Sequence, residues 1–71
     1  MGNVEFAQIL RRLIDERMLT QLELAKRLGI MQSQVSNWLY GKSLPGYNSL
    51  RELSRVFGVD TGVLLGLHDG A

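Results

Sequence analysis

The chain has no cysteine, one proline and one histidine in 71 residues. Without cysteine there are no disulfides, no thiolate nucleophile and no thiolate zinc site, a composition that fits a reducing cytoplasm. The lone histidine, His68, has no second histidine to join it at ligand spacing, so metal binding is not expected. No stretch approaches the ~20 apolar residues that a membrane span needs. The N-terminus lacks a basic segment followed by a long apolar run, which argues against a signal peptide. Charge of one sign is scarce too: eight Lys and Arg against seven Asp and Glu leave a formal net charge of +1. Bulk charge is therefore a weak argument for a polyanionic partner. The chain is also too short for two cores. At this size it buries only roughly 60% of its unfolded surface, so its stability is modest and would gain from dimerisation.

What is present is a helical pattern from end to end, with no repeat, no low-complexity segment and no competing strand alternation. Phe6, Ile9, Leu10, Leu13 and Ile14 fall at i, i+3, i+4, i+7 and i+8, an apolar stripe on a first helix. Asn3 is the expected N-cap of that helix, and Glu5 suits the positive end of its dipole. A second helix is expected over about Gln21 to Leu28 and a third over about Gln32 to Leu39. A fourth, about Tyr47 to Phe57, carries Leu50, Leu53, Val56 and Phe57 and stops at Gly58. A short fifth, capped by Asp60 or Thr61, carries Val63, Leu64 and Leu65. Tyr40 to Gly46 reads as an ordered loop, and Gly66 to Ala71 as frayed. Charge is uneven along this order. In the first third, Glu5, Asp15, Glu16 and Glu23 offset Arg11, Arg12 and Arg17, whereas from there to the end of helix four Lys26, Arg27, Lys42, Arg51 and Arg55 face only Glu52.

The most informative segment is Thr20 to Leu39, TQLELAKRLGIMQSQVSNWL. Thr20 and Glu23 form a capping box, each side chain bonding the other's backbone N–H. Ala25 is small where a second helix must cross closely. Gly29 can take a positive φ and stop the helix sharply. Val35 and Trp38 then return at helical spacing toward Leu24, Ala25 and Leu28. Small residue, glycine turn and returning apolar pair specify a helix-turn-helix, whose second helix is shaped for the DNA major groove.

Gln21, Leu24, Ala25, Leu28, Gly29, Ile30, Val35 and Trp38 together resemble the lambda-repressor-like, or Cro/XRE, family of DNA-binding domains. The likeness extends through Gly41-Lys42-Ser43-Leu44-Pro45, Leu50, Leu53, Phe57-Gly58-Val59 and Leu64-Leu65, from about Phe6 to about Leu65. It implies an all-α fold of five compact helices, with helices two and three forming the helix-turn-helix. It also implies roles. Gln32, Ser33, Ser36 and Asn37 stand opposite Val35 and Trp38, where the family reads bases. Gln and Asn suit paired hydrogen bonds to adenine, and serine hydroxyls suit bases or phosphates. The bland reading of those four residues is a solvated helix face. Gln21, at the positive end of helix two, matches a glutamine that bonds a phosphate in the family. Lys42 and the amides around Ser43 are further phosphate candidates, as is the Tyr40 hydroxyl, although Tyr40 could equally shield Trp38. Trp38 itself is read as core.

Two departures from the family stand out. Met31 replaces the Ser or Thr that commonly caps the recognition helix, a loss of roughly 1 kcal/mol. Leu39 replaces a frequent glutamate whose usual arginine partner is here Ile14. Both halves of the ion pair have become apolar together, which avoids an orphaned buried charge.

The expectation is one DNA-binding domain over residues 1–66 followed by a flexible tail, 67–71, with no cofactor and no metal. It would be a cytoplasmic, nucleoid-associated regulator of prokaryotic or phage type, a repressor binding an inverted-repeat operator in double-stranded DNA as a homodimer. Its dimer contact is expected at Leu64 and Leu67, where the resemblance also points. Alternatives are an antitoxin, with a toxin as partner, a restriction-modification controller protein, or a protein-interaction module that kept the fold without DNA binding. An enzyme is the least supported reading.

Overall fold

A computed structural model describes residues 2–67 and among them holds five α-helices: α1 (Gly2–Glu16), α2 (Gln21–Leu28), α3 (Gln32–Leu39), α4 (Tyr47–Phe57) and α5 (Thr61–Leu64). α2, α3 and α4 begin and end where the sequence pattern places them. α1 starts earlier than expected: Asn3 lies inside its first turn rather than capping it. At the start of α2 the capping box is complete, with Thr20 Oγ1 accepting from Glu23 N at 3.1 Å and Thr20 N donating to Glu23 Oε1 at 2.9 Å. The Glu23 carboxyl is held below its ordinary range, first by the Thr20 N–H, then by the Thr20 side chain, with Arg27 and Lys26 adding to the effect. α3 has Met31 at its N-cap with no side-chain hydrogen bond, as its residue type dictates. At α5 it is Asp60 that caps, accepting from Gly62 N at 2.9 Å.

All five helices terminate in the same way. In each, a backbone amide just past the helix end bonds back to the carbonyl five residues earlier: Leu19 to Ile14, Ile30 to Ala25, Lys42 to Asn37, Val59 to Ser54 and Leu67 to Gly62, at 2.8–3.2 Å. This Schellman closure needs a left-handed residue just before the returning amide. Four helices supply glycine there. α1 supplies Met18, at φ 55°, the one non-glycine residue with positive φ among those described. At Gly66 the closure also brings the backbone onto α1, where an added Cβ would stand 2.5 Å from the Glu5 carboxyl carbon. The Leu67 amide donates to the Gly62 carbonyl at 2.8 Å. Of the expected tail, residues 68–71, His68 among them, lie outside the described residues.

One core joins every helix. It contains Phe6, Leu10, Leu13 and Ile14 of α1, Leu24 and Ala25 of α2, Val35, Trp38 and Leu39 of α3, Leu53 and Phe57 of α4, and Leu64 of α5. Ile9, Leu28, Ile30, Leu50 and Val56 are half-buried at its margin. α3 packs on both α2 and α1, while α4 packs on α2 and α5, and α5 closes onto α1. Ile14 and Leu39 are both buried in this cluster, so the position of the family's ion pair is apolar on both sides. Trp38 is likewise a core residue.

Leu64 requires a correction. It is 0% exposed and offers no surface to a second subunit, whereas Leu67 is 72% exposed. The reason is the length of α5: one turn of helix can direct only one large side chain inward, and Leu64 takes that place.

One long-range polar contact ties the ends of the bundle. Arg17, just past α1, donates from Nη2 to the Phe57 carbonyl at 2.7 Å, and its guanidinium carbon lies 5.2 Å from the centroid of the Phe57 ring. A cation at the last carbonyl of α4 meets the negative end of that helix dipole and satisfies one of its orphan acceptors.

Candidate nucleic-acid interface

The core decides which side of α3 is free. With Val35, Trp38 and Leu39 buried, the exposed residues of the helix are Gln32, Ser33, Gln34 and Asn37. Gln32, Ser33 and Asn37 therefore stand in solvent on the recognition helix. None of them has a side-chain hydrogen bond within the described residues that would compete with a base edge. Gln34 is also exposed and, three residues before Asn37, shares that side of the helix.

Ser36 is different. It is half-buried, and its hydroxyl donates to Gln21 Oε1 at 2.5 Å. The family resemblance implies separate tasks for the two residues, one on a base and one on a phosphate, yet the turn at Gly29 brings them together. Gln21 is the first residue of α2, where by helix geometry the leading N–H groups have no intrahelical partner.

The loop after α3 contributes the second part of the surface. Lys42 is exposed and its ammonium lies 6.0 Å from the centroid of the Tyr40 ring, so cation and phenol share one corner. Tyr40 is 70% exposed, so most of its surface faces solvent. Ser43 is half-buried beside them. Elsewhere, Arg55 pairs with Glu52 at 3.7 Å and Arg51 lies over the Tyr47 ring at 5.8 Å. Such exposed pairs hold little free energy and leave both arginines accessible. Arg17, counted in the sequence as one more surface charge, is committed to the Phe57 carbonyl. Nothing local announces that contact, because its partner is 40 residues away.

A shallow groove of about 180 Å³ lies between α1 and the end of α3, lined by Val4, Ala7, Gln8, Arg11, Leu39, Tyr40 and Gly41. It contains no carboxylate, histidine or hydroxyl–base pair suited to acid–base or nucleophilic chemistry. No group of three His, Cys, Asp or Glu is arranged for a metal among the described residues. None of their helices is long and apolar enough to cross a membrane.

Comparison with known proteins agrees with this geometry. The HTH-type transcriptional activator BcrR of Enterococcus faecalis is 36% identical over 62 residues, which cover 87% of this chain and 30% of that protein. The chain thus spans less than a third of the relative's length. No solved structure matches significantly. A family model of the helix-turn-helix domain matches residues 10–64, from within α1 to the end of α5. With five helices in order, a glycine-hinged α2–α3 pair and that match over most of its length, the chain belongs to the Cro/C1-type, lambda-repressor-like family of helix-turn-helix DNA-binding domains.

Proposed function

We propose that this domain is a sequence-specific double-stranded DNA-binding regulator of transcription, reading the major groove with α3. The observation that carries the reading is the division of α3 into a wholly buried apolar side and an exposed amide-and-hydroxyl side, on a family scaffold that presents this helix. Gln32, Ser33 and Asn37 meet base edges, while Gln21, Tyr40, Lys42 and Ser43 meet phosphates and set the docking angle. The near-neutral net charge suits a protein that makes few phosphate contacts per subunit and doubles them by binding as a homodimer. Two such subunits on an inverted repeat place half-site centres about 34 Å apart. Exposed Leu67 is the apolar residue offered at the C-terminal end of the described fold for that contact. Repression follows where the operator overlaps a promoter; the relative named as an activator shows the other outcome open to such a domain. The place of action on this reading is the cytoplasm, at the nucleoid.

The test is selection of bound duplexes from a random library, followed by binding of variants to the selected site and to unrelated DNA. Gln32→Ala or Asn37→Ala should lose about 1–3 kcal/mol on the selected site and less on unrelated DNA. Lys42→Ala should weaken both and reduce the salt slope by about one. Equal losses on both duplexes for all three variants would refute this division of roles, and absence of any enriched sequence would refute specific recognition. Leu67→Asp should weaken binding to the inverted repeat without changing the monomer's helicity.

A further inference from the structure

The bond between Ser36 and Gln21 has a directional consequence. A serine hydroxyl has one proton, and here it goes to Gln21 Oε1. The primary amide of glutamine is planar, so fixing its oxygen toward α3 turns its Nε2 the other way. Gln21 stands at the first position of α2 and is only half-buried, so that nitrogen has an outlet to solvent. An amide NH2 is a donor only and suits an acceptor oxygen such as a phosphate, whereas the carbonyl oxygen facing out would be repelled by one.

We propose that Ser36 is a positioning residue that acts through Gln21: it selects the amide orientation in which Nε2 is presented to a DNA phosphate, and it reads no base itself. The inference rests on the DNA-binding reading above. It reassigns Ser36 from the base-reading set to the backbone-docking set and explains why a half-buried serine belongs on this helix. The same bond crosses the α2–α3 turn, so the phosphate donor on α2 and the base readers on α3 are held as one rigid unit. A phosphate bound by Gln21 then constrains where Gln32 and Asn37 reach the groove.

The experiment uses the duplex obtained by selection, an unrelated duplex of equal length, and the variants Ser36→Ala, Gln21→Ala, their double, and Gln21→Glu, with thermal melts of each. Ser36→Ala should lower affinity roughly 3- to 10-fold on both duplexes without changing the selected sequence, because a lost phosphate contact carries no base information. The loss in the double variant should be no greater than in Gln21→Ala alone, since Ser36 acts only through that side chain. Gln21→Glu is the decisive variant. Its carboxylate can still accept from Ser36, so the melting temperature should hold, while the outward oxygen repels the phosphate and affinity falls on every duplex. Ethylation interference should show one phosphate whose modification weakens the parent but no longer matters in Gln21→Ala, and matters less in Ser36→Ala. Undiminished binding by Gln21→Glu, additive losses in the double variant, or a relaxed preference at one base pair in Ser36→Ala would each overturn the proposal. Failure of the parent to bind any duplex would instead overturn the DNA-binding reading itself.

Discussion

The left-handed residue that closes α1 offers a sharp test of the backbone argument. Four of the five helices end on glycine at this position, and Met18 adopts φ 55° in the fifth. A residue with a Cβ in that conformation loses roughly 1–2 kcal/mol to the clash with the following carbonyl. Glycine removes the clash, but its greater freedom in the unfolded chain offsets about 0.5–1 kcal/mol of the gain. The Met18 side chain is 88% exposed, so little packing is lost with it. Met18→Gly should therefore stabilise the domain by about 0.5–1 kcal/mol, a rise of about 2–8 °C in Tm for a chain of this size. Met18→Ala keeps the Cβ and should give no such gain, and Met18→Asn should fall between the two. Urea and thermal melts of all four proteins would measure this, with an unchanged m-value showing that the folded and unfolded states are otherwise alike. A Met18→Gly protein no more stable than Met18→Ala would show that the turn is not strained, and the argument would fail.

Arg17→Ala should destabilise by about 1–2 kcal/mol, since it removes a charge-assisted bond to the Phe57 carbonyl and a cation over the Phe57 ring, and Arg17→Lys should recover only part of that loss; equal melting of all three proteins would exclude the tie. Met31→Ser should raise stability by about 1 kcal/mol, because a hydroxyl at the uncapped start of α3 can accept from the amides of Ser33 or Gln34; an unchanged thermal melt would contradict it. Glu23 is lowered in the folded state, so its contribution is fully present above the ordinary carboxylate pKa and is lost as pH falls through the lower folded value. The stability difference between the parent and Glu23→Gln should accordingly shrink as pH is taken from about 7 toward about 3, and a difference independent of pH would refute the ionic character of the capping box.

Where the determinants are local, they were legible in the amino-acid sequence. The limits of α2, α3 and α4, the capping box at Thr20, the glycine turn at Gly29 and the apolar sides of the helices all depend on neighbours within one or two turns of chain. The burial of both Ile14 and Leu39 in the core could also be anticipated, because the two departures from the family pattern made sense only together. The exposure of Gln32, Ser33 and Asn37 followed from the inward side of α3, whereas exposed Gln34 and half-buried Ser36 did not. What remained illegible depends on distant partners or on competition for one place. Met18 looks like any residue past a helix, and only the closure of α1 onto its own last turn puts it at positive φ. Arg17 looks like a solvated charge until α4 brings the Phe57 carbonyl, 40 residues on, within reach. Leu64 and Leu67 are chemically alike, and the single turn of α5 decided which enters the core. Ser36 and Gln21, 15 residues apart, are two ordinary polar side chains in the sequence. Only the crossing of α2 and α3 gives the hydroxyl proton of one to the amide oxygen of the other, because hydrogen-bond partners are chosen by position in space and periodicity carries no record of them.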